Sequence, residues 1–264
     1  MSFKILLTGG SGRIAQWIIP FLPADFELVV TDRQAGETGG RKIQALDITD
    51  YDAVLAAMQG VDAVVHLAIM SERHIITDKA LFDADEGEEY IRFNEASIEV
   101  NVRGTYHILE AARAAGVKRV VLGSSLTVLL GKPVYTTFHD DLPVRPFNFY
   151  AVTKLWTEQL GEFFSRRHGL TVYCLRFGQP REQELARRVG DQAKGRPPSK
   201  ALVSSQDLAW AIECALTCAN GPAFGAYTIV SDSEDRTFDN TKAAEIGWRP
   251  KTRCGGDCSV TVIC

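Results

Sequence analysis

The sequence predicts an α/β fold built on a doubly wound parallel sheet, and three observations predict it. Short apolar runs alternate with helical patterns from residue 4 to residue 177, the rhythm of βαβ units. A glycine-rich turn, TGGSGRIA at Thr8–Ala15, lies between the first apolar run and the first helical pattern. After Gly178 the rhythm breaks, and a charged stretch containing Gly and Pro runs from Pro180 to Lys200. The expected division is a main domain over residues 1–178 and a small substrate-binding cap over 179–253 at the sheet's carboxyl edge, where such folds bind ligands. Residues 254–264 form a tail to which no role attaches.

Taken in order, the expected strands are Lys4–Thr8, Glu27–Thr31, Lys42–Leu46, Ala63–Leu67, Arg119–Gly123 and Thr171–Phe177. Between them fall helices over Ile14–Leu22, Ala53–Met58, a long one ending near Ala115, and Ala151–Arg167. In the last, Val152, Leu155, Trp156, Leu160, Phe163 and Phe164 recur at the spacing of one buried helical face. Beyond Gly178 come a helix from Gln206, a strand at Tyr227–Val230 and a short helix near Thr241. Six parallel strands joined by helices make the Rossmann arrangement.

Composition narrows the classes of function. The chain has 264 residues, 45% of them hydrophobic and 23% charged, ordinary values for a globular protein. A formal net charge of −4 gives no reason to expect a nucleic-acid or anionic-membrane partner. No apolar run reaches the length of a bilayer span, and no leader precedes the first strand, so the expected location is the cytoplasm. The acidic stretch Asp83–Glu89 reads as a solvated loop. Cys174, Cys214, Cys218, Cys254, Cys258 and Cys264 have neither CxxC spacing nor a nearby His, so no metal site is expected.

The glycine turn carries the first chemistry. Small residues are needed where the backbone turns tightly and approaches a pyrophosphate, whose charge the following helix N-terminus stabilises. Gly9, Gly12 and Ala15 supply them at a GxxGxxA spacing. The second strand ends in Thr31–Asp32–Arg33. An acid about 20 residues past the turn accepts the ribose hydroxyls and repels a 2′-phosphate, so Asp32 favours NAD. Arg33 could hold that phosphate instead, which leaves NADP open. Asp47 and Ile48, just past the third strand, are placed to meet the adenine.

Tyr150 and Lys154 carry the second. Their i, i+4 spacing puts both on one helix face. A phenol titrates near pH 10, too weak a base at neutrality, and a neighbouring ammonium would favour the phenolate. A hydroxyl from another strand would orient the substrate oxygen, and Ser124–Ser125 end the fifth strand. Taken alone, YxxxK is more often a helix-surface pair; beside the glycine turn and the strand-end serines it reads as a proton-transfer set.

With these motifs together, the chain resembles an extended short-chain dehydrogenase/reductase of the NAD-dependent epimerase/dehydratase family from residue 3 to about 250. TGGSGRIA, HLA at His66–Ala68, NVRGTYHILEAAR from Asn101, SSLTV at Ser124–Val128 and YAVTK carry the likeness. The resemblance implies Tyr150 as acid/base, Lys154 on the nicotinamide ribose and Ser125 on the reacting oxygen. It adds Arg13, Ile14, Leu67, Ala68 and Asn101 to the cofactor contacts. Leu129 and Leu130 stand where the family's S-x-x-V-Y-G pattern has Tyr, so that loop is altered.

Within the family the likeness extends to uronate dehydrogenases, through Ser71 after HLAIM, LPVRP at Leu142–Pro146 and DNTKAAEIGWRPK from Asp239. It implies oxidation of a sugar or sugar acid, with Ser71, Ser125, Leu126, Thr127 and Arg196 at the substrate and Arg188 in reserve. Leu126 and Thr127 replace an Asn-His pair of those enzymes, which departs from their uronate recognition. Arg176 reads as structural. A nucleotide-sugar epimerase shares the catalytic-half motifs, but the 86 residues after Gly178 form a small cap for a nucleoside diphosphate. A non-catalytic dinucleotide sensor is a third reading, disfavoured by the Tyr/Lys pair. The resemblance also implies a homodimer through the helix ending near Ala115 and the Tyr150 helix, with Ile98, Val102, Tyr106, Trp156 and Phe163 at the interface or in the core.

Overall fold

A computed structural model describes residues 3–70, 88–131, 137–183, 199–234, 236–255 and 259–263. The strands of the first half are β1 (Phe3–Thr8), β2 (Phe26–Asp32), β3 (Gly36–Thr38), β4 (Arg41–Ala45) and β5 (Ala63–His66). Those that follow are β6 (Arg119–Ser125), β7 (Thr171–Phe177), β8 (Gln179–Pro180), β9 (Leu202–Val203), β10 (Phe224–Ile229), β11 (Thr252–Cys254) and β12 (Val260–Val262). The helices are α1 (Arg13–Ile18), α2 (Tyr51–Ala57), α3 (Glu88–Ser97), α4 (Gly104–Ala115), α5 (Phe149–His168) and α6 (Ser205–Thr217).

The main sheet has eight strands in the order β10-β7-β6-β5-β1-β2-β4-β3. All its pairings are parallel except that of β3 with β4. The chain thus reverses direction of growth between β1 and β5, and a doubly wound sheet opens its ligand crevice at such a point. Alternation along the strands feeds two cores. Ile5 and Leu7 of β1 join Val65, Val121 and Leu175 on the α1/α6 face, while Leu6 joins Val64, Val120, Leu122 and Val172 on the α2/α4/α5 face. Both faces are covered, which explains why these strands read as continuous apolar runs.

The six expected parallel strands are all present, and the structure adds two more. The edge strand β3 turns back onto β4 through Gly39 and Gly40, both at positive φ (53° and 72°). A Gly-Gly pair at that position is a hairpin signal the sequence reading did not use. The other is β10, the strand expected at Tyr227–Val230, which joins the main sheet by pairing parallel with β7 from Phe224 to Ile229. α6 and β10 pack into the main core through Leu208, Ile212, Tyr227 and Ile229. What stays outside the main sheet is the β8–β9 pair and the β11–β12 hairpin.

Helix ends follow local chemistry. Asn148 caps α5 by accepting from the Ala151 N–H at 2.8 Å, and Gly169 closes it at φ 71°. Gly116 closes α4 in the same way at φ 77°. The long helix expected to end near Ala115 is interrupted: Ile98–Arg103, between α3 and α4, is wound as a π-helix, a distortion frequent at functional sites. None of the helices among the described residues is long and apolar enough to cross a membrane.

Candidate active site

The carboxyl ends of the strands bring the predicted residues to one edge. β1 delivers Thr8 and the glycine turn, β2 Asp32, β5 His66, and β6 Ser125. At the turn Gly9 has φ 77°, and a Cβ there would lie 2.5 Å from the Ala68 nitrogen and 2.7 Å from the Leu67 carbonyl carbon. The turn therefore packs backbone to backbone on Leu67–Ala68, and only glycine fits. Gly12 precedes α1, whose N-terminus has no side-chain cap and no acid in its first turn. Arg13 and Ile14 begin that helix, and Ala15 is buried against the sheet.

Asp32 reaches back across this turn. Its Oδ2 accepts from the Ser11 N–H at 2.9 Å and the Ser11 hydroxyl at 2.7 Å, and its Oδ1 from the Arg33 N–H at 2.7 Å. A carboxylate offers about four acceptor sites, so capacity remains for one further donor. Asp47 accepts from the Thr49 N–H and hydroxyl at 2.9 and 2.7 Å. Those bonds, with a smaller contribution from the Arg33 charge, hold its carboxyl below the usual range. Ile48 is buried, and its carbonyl receives the His107 ring at 3.1 Å.

Tyr150 lies in the first turn of α5 and is half-buried. One turn on, Lys154 is only 4% exposed, with its Nζ 5.9 Å from the centre of the Tyr150 ring. Burial lowers its pKa to about 8, an effect only partly opposed by Cys174 and Glu158. The ammonium has three donors and among the described residues makes one hydrogen bond, to the Gly123 carbonyl at 2.6 Å. A buried cation with donors to spare fits a polar ligand such as a cofactor ribose. The residues present therefore suit a dinucleotide: a glycine turn against bare backbone, an acid with an unused acceptor site, and an under-satisfied lysine.

Ser125 is half-buried and its Oγ accepts from the Thr127 N–H at 3.3 Å and hydroxyl at 3.0 Å. Leu126 points away into a small cluster with Ala201 and Val230, leaving Thr127 as the accessible member of the pair. Val128 and Leu129, in the altered loop, pack with Phe138. Asn101 faces inward from the π-helix. Its Oδ1 accepts from the Met70 N–H at 2.7 Å, and its Nδ2 donates to the Met70 carbonyl and the Thr153 hydroxyl, both at 3.1 Å. Ser71, Arg188 and Arg196 lie outside the described residues. Among the described residues, no three His, Cys, Asp or Glu side chains are grouped to hold a metal ion.

Sequence reasoning missed two side-chain systems at this edge. In one, His66 sits between the Thr8 and Thr105 hydroxyls at 2.7 and 3.2 Å. In the other, the Ser124 hydroxyl donates to Glu158 at 2.6 Å, and Arg176 grips the same carboxylate with two bonds of 2.9 Å. Arg176 also donates to Asp140 at 3.1 Å, whose two oxygens accept the Thr228 hydroxyl and N–H at 2.6 and 2.8 Å. This ionic chain is buried throughout, which gives Arg176 the structural place expected for it.

Comparison with known proteins adds the family. The sequence pattern of the NAD dependent epimerase/dehydratase family matches residues 5–180. The chain belongs to that family. Its relatives include the L-arabinose 1-dehydrogenase (NAD(P)(+)) of Haloferax volcanii, 28% identical over 98% of this chain and 99% of the relative. A uronate dehydrogenase of Pseudomonas syringae pv. tomato is 28% identical over 94% and 82% of the two chains. The UDP-glucose 4-epimerase of Bacillus subtilis is 29% identical but matches 73% of this chain and 57% of the epimerase. A solved structure of a mutated uronate dehydrogenase superposes with a TM-score of 0.73 over 95% of this chain and 82% of its own, at 24% identity. That likeness establishes the Rossmann-type fold, and the family makes the chain an NAD-dependent enzyme.

Proposed function

We propose that this enzyme oxidises a hydroxyl of a sugar or sugar acid, with Tyr150 as general base and NAD as the hydride acceptor. The observation that carries the reading is the pair on α5: a tyrosine at the crevice with a buried, under-satisfied lysine one turn behind it. Bound NAD supplies the electrophile that takes the hydride. Tyr150 accepts the proton of the substrate hydroxyl as the carbon gives up its hydride, and Ser125 hydrogen-bonds the same oxygen. Lys154 favours the phenolate by its charge and donates to the cofactor ribose. Gly9, Gly12, Arg13 and Ile14 would hold the pyrophosphate; Asp32, with Arg33 beside it, would meet the adenosine ribose. Asp47 and Ile48 would take the adenine, Leu67 and Ala68 the nicotinamide side, and Asn101 would act through Met70. Ser71, Thr127 and Arg196 remain the candidates for gripping substrate, and the pieces outside the main sheet after Gly178 form the cap.

Similarity along almost the whole length of the arabinose and uronate dehydrogenases favours net oxidation. Incubation with free NAD and a panel of aldoses, uronates and nucleotide sugars tests it. Stoichiometric NADH is the expected result. Isomerised sugar without net NADH would replace this reading with an epimerase, and silence across the panel would favour a dinucleotide sensor.

A homodimer belongs to the same proposal. Ile98, Tyr106, Trp156 and Phe163 are between 40% and 47% exposed on α4, α5 and the π-helix, and Val102 beside them is half-buried. So many large apolar groups on one helical layer suit pairing about a two-fold axis. Light scattering at micromolar concentration should give twice the chain mass; a monomer would reject the dimer.

A further inference from the structure

The direction of every hydrogen bond around His66 follows from counting protons. Thr105 has one hydroxyl proton and gives it to the Asn101 carbonyl, 2.6 Å away. The contact between His66 Nε2 and the Thr105 oxygen, at 3.2 Å, therefore uses a proton on the imidazole. A neutral imidazole carries only one, so Nδ1 is an acceptor, and the Thr8 hydroxyl donates to it at 2.7 Å. The Thr8 oxygen in turn accepts the Ala68 N–H at 3.4 Å.

We propose that His66 is a positioning residue of the cofactor site, fixed as the Nε2–H tautomer in a one-way hydrogen-bond relay from the Ala68 N–H through Thr8, His66 and Thr105 to the Asn101 carbonyl. The relay begins at a backbone donor and ends at a backbone acceptor, so it cannot reverse. It rests on the cofactor reading above, because Ala68 is the backbone on which the glycine turn packs. At its far end Asn101 grips Met70 and Thr153, and Thr153 donates to the Tyr150 carbonyl at 2.8 Å. One series of neutral groups thus ties the floor of the glycine turn to the helix that carries the catalytic tyrosine.

The imidazole must stay neutral for this to work. An imidazolium has two donors, and Thr8 would then have to turn its own proton away from the ring. Burial, with the nearby Lys154 charge adding to it, pushes the His66 pKa down to about 3. The relay therefore keeps its direction throughout the range in which an ordinary histidine titrates.

The test reads the tautomer directly in the cofactor-free, full-length protein by long-range proton–nitrogen NMR. The expected spectrum has the His66 proton on Nε2, unchanged between about pH 5 and pH 9. A proton on Nδ1, a mixture of tautomers, or a midpoint near the ordinary histidine value would overturn the relay. Two variants then connect it to the site. Thr105→Val removes the Nε2 acceptor and should let the tautomers mix and weaken NAD binding about tenfold, roughly the worth of one hydrogen bond. Thr105→Ser keeps the hydroxyl and should preserve both. A Thr105→Val protein with wild-type tautomer and wild-type NAD affinity would refute the positioning role. Failure of the wild-type protein to bind NAD would count against the cofactor reading instead, since the tautomer is measured without cofactor.

Discussion

The two halves of the sheet's carboxyl edge are held together by opposite means. Around β1, β2 and β5 the structure relies on backbone packing and neutral or singly charged hydrogen bonds: Gly9 against Ala68, Ser11 on Asp32, Thr8 on His66. Around β6, β7 and β10 it relies on a buried ionic chain that joins Ser124, Glu158, Arg176, Asp140 and Thr228. The first half must admit a ligand and keeps acceptors in reserve. The second half satisfies its charges internally and serves as the wall against which the Tyr150 helix stands. Lys154 lies where the two meet: among the described residues its one acceptor is the Gly123 carbonyl on β6, the strand that pairs with β5.

The largest effect expected from disturbing this junction is on turnover. Tyr150→Phe deletes the proposed proton acceptor but keeps the ring, so turnover should fall by roughly 10²–10⁴-fold with NAD affinity nearly unchanged. Lys154→Met should damage both quantities, because charge and ribose donor disappear together. Steady-state kinetics and equilibrium cofactor titration separate the two outcomes. Wild-type turnover by Tyr150→Phe would remove the tyrosine from the mechanism.

The ionic wall should answer in stability instead. Arg176→Met leaves the Glu158 and Asp140 carboxylates buried without their shared cation. Breaking a buried pair from one side typically costs about 3–5 kcal/mol, to be read from urea denaturation. Burial already raises the Asp140 pKa despite its bonds to Thr228 and Arg176, so part of the loss should be recovered at low pH as that carboxyl protonates. A change below about 1 kcal/mol would mean that the wall gains nothing from its charges.

Locality explains what could be read from the sequence. The glycine turn, Asp32 and the Tyr150/Lys154 pair are short patterns whose spacing is fixed by one turn or one helix. Each is legible as a pattern, and the six central strands are present as expected. The Gly39–Gly40 hairpin was equally local and was passed over. The ionic chain draws single residues from positions 124, 140, 158, 176 and 228, and no window of sequence contains more than one of them at a telling distance. The His66 relay has the same character, since Thr8, His66 and Thr105 meet only because β1 and β5 are neighbours. The place of β10 in the main sheet was hidden for a related reason: such a strand looks the same in sequence whether it extends the main sheet or a small appendage.

The neutral half should in turn show its own acid sensitivity. With a folded pKa of about 3 against an ordinary 6.5, His66 binds no proton in the fold over a range where the unfolded chain does. Its contribution to stability is therefore complete above pH 6.5 and lost as pH falls toward the folded value. The slope from this group approaches about 1.4 kcal/mol per pH unit at most. Denaturant titrations between about pH 6 and pH 4 should be flatter for His66→Gln than for the wild-type protein. Parallel curves would show that the imidazole is protonated in the fold, contrary to the relay.

The smallest effect, about tenfold, concerns the choice between NAD and NADP, and here one residue has two roles to be told apart. On the proposed reading Asp32 repels a 2′-phosphate by charge, but it also braces the glycine turn through two hydrogen bonds from Ser11. Loss of bracing weakens both dinucleotides alike, whereas loss of repulsion helps only NADP. Arg33 pulls the other way, although its charge already acts on Asp47. The wild-type protein should bind NAD more tightly than NADP, and Asp32→Ala should narrow the gap while lowering the affinity for NAD. Asp32→Asn retains an acceptor for Ser11 without the negative charge. It should therefore narrow the gap with less loss of NAD affinity. An unchanged ratio in both variants would leave Asp32 as a brace alone, and tighter NADP binding by the wild-type protein would give the decision to Arg33.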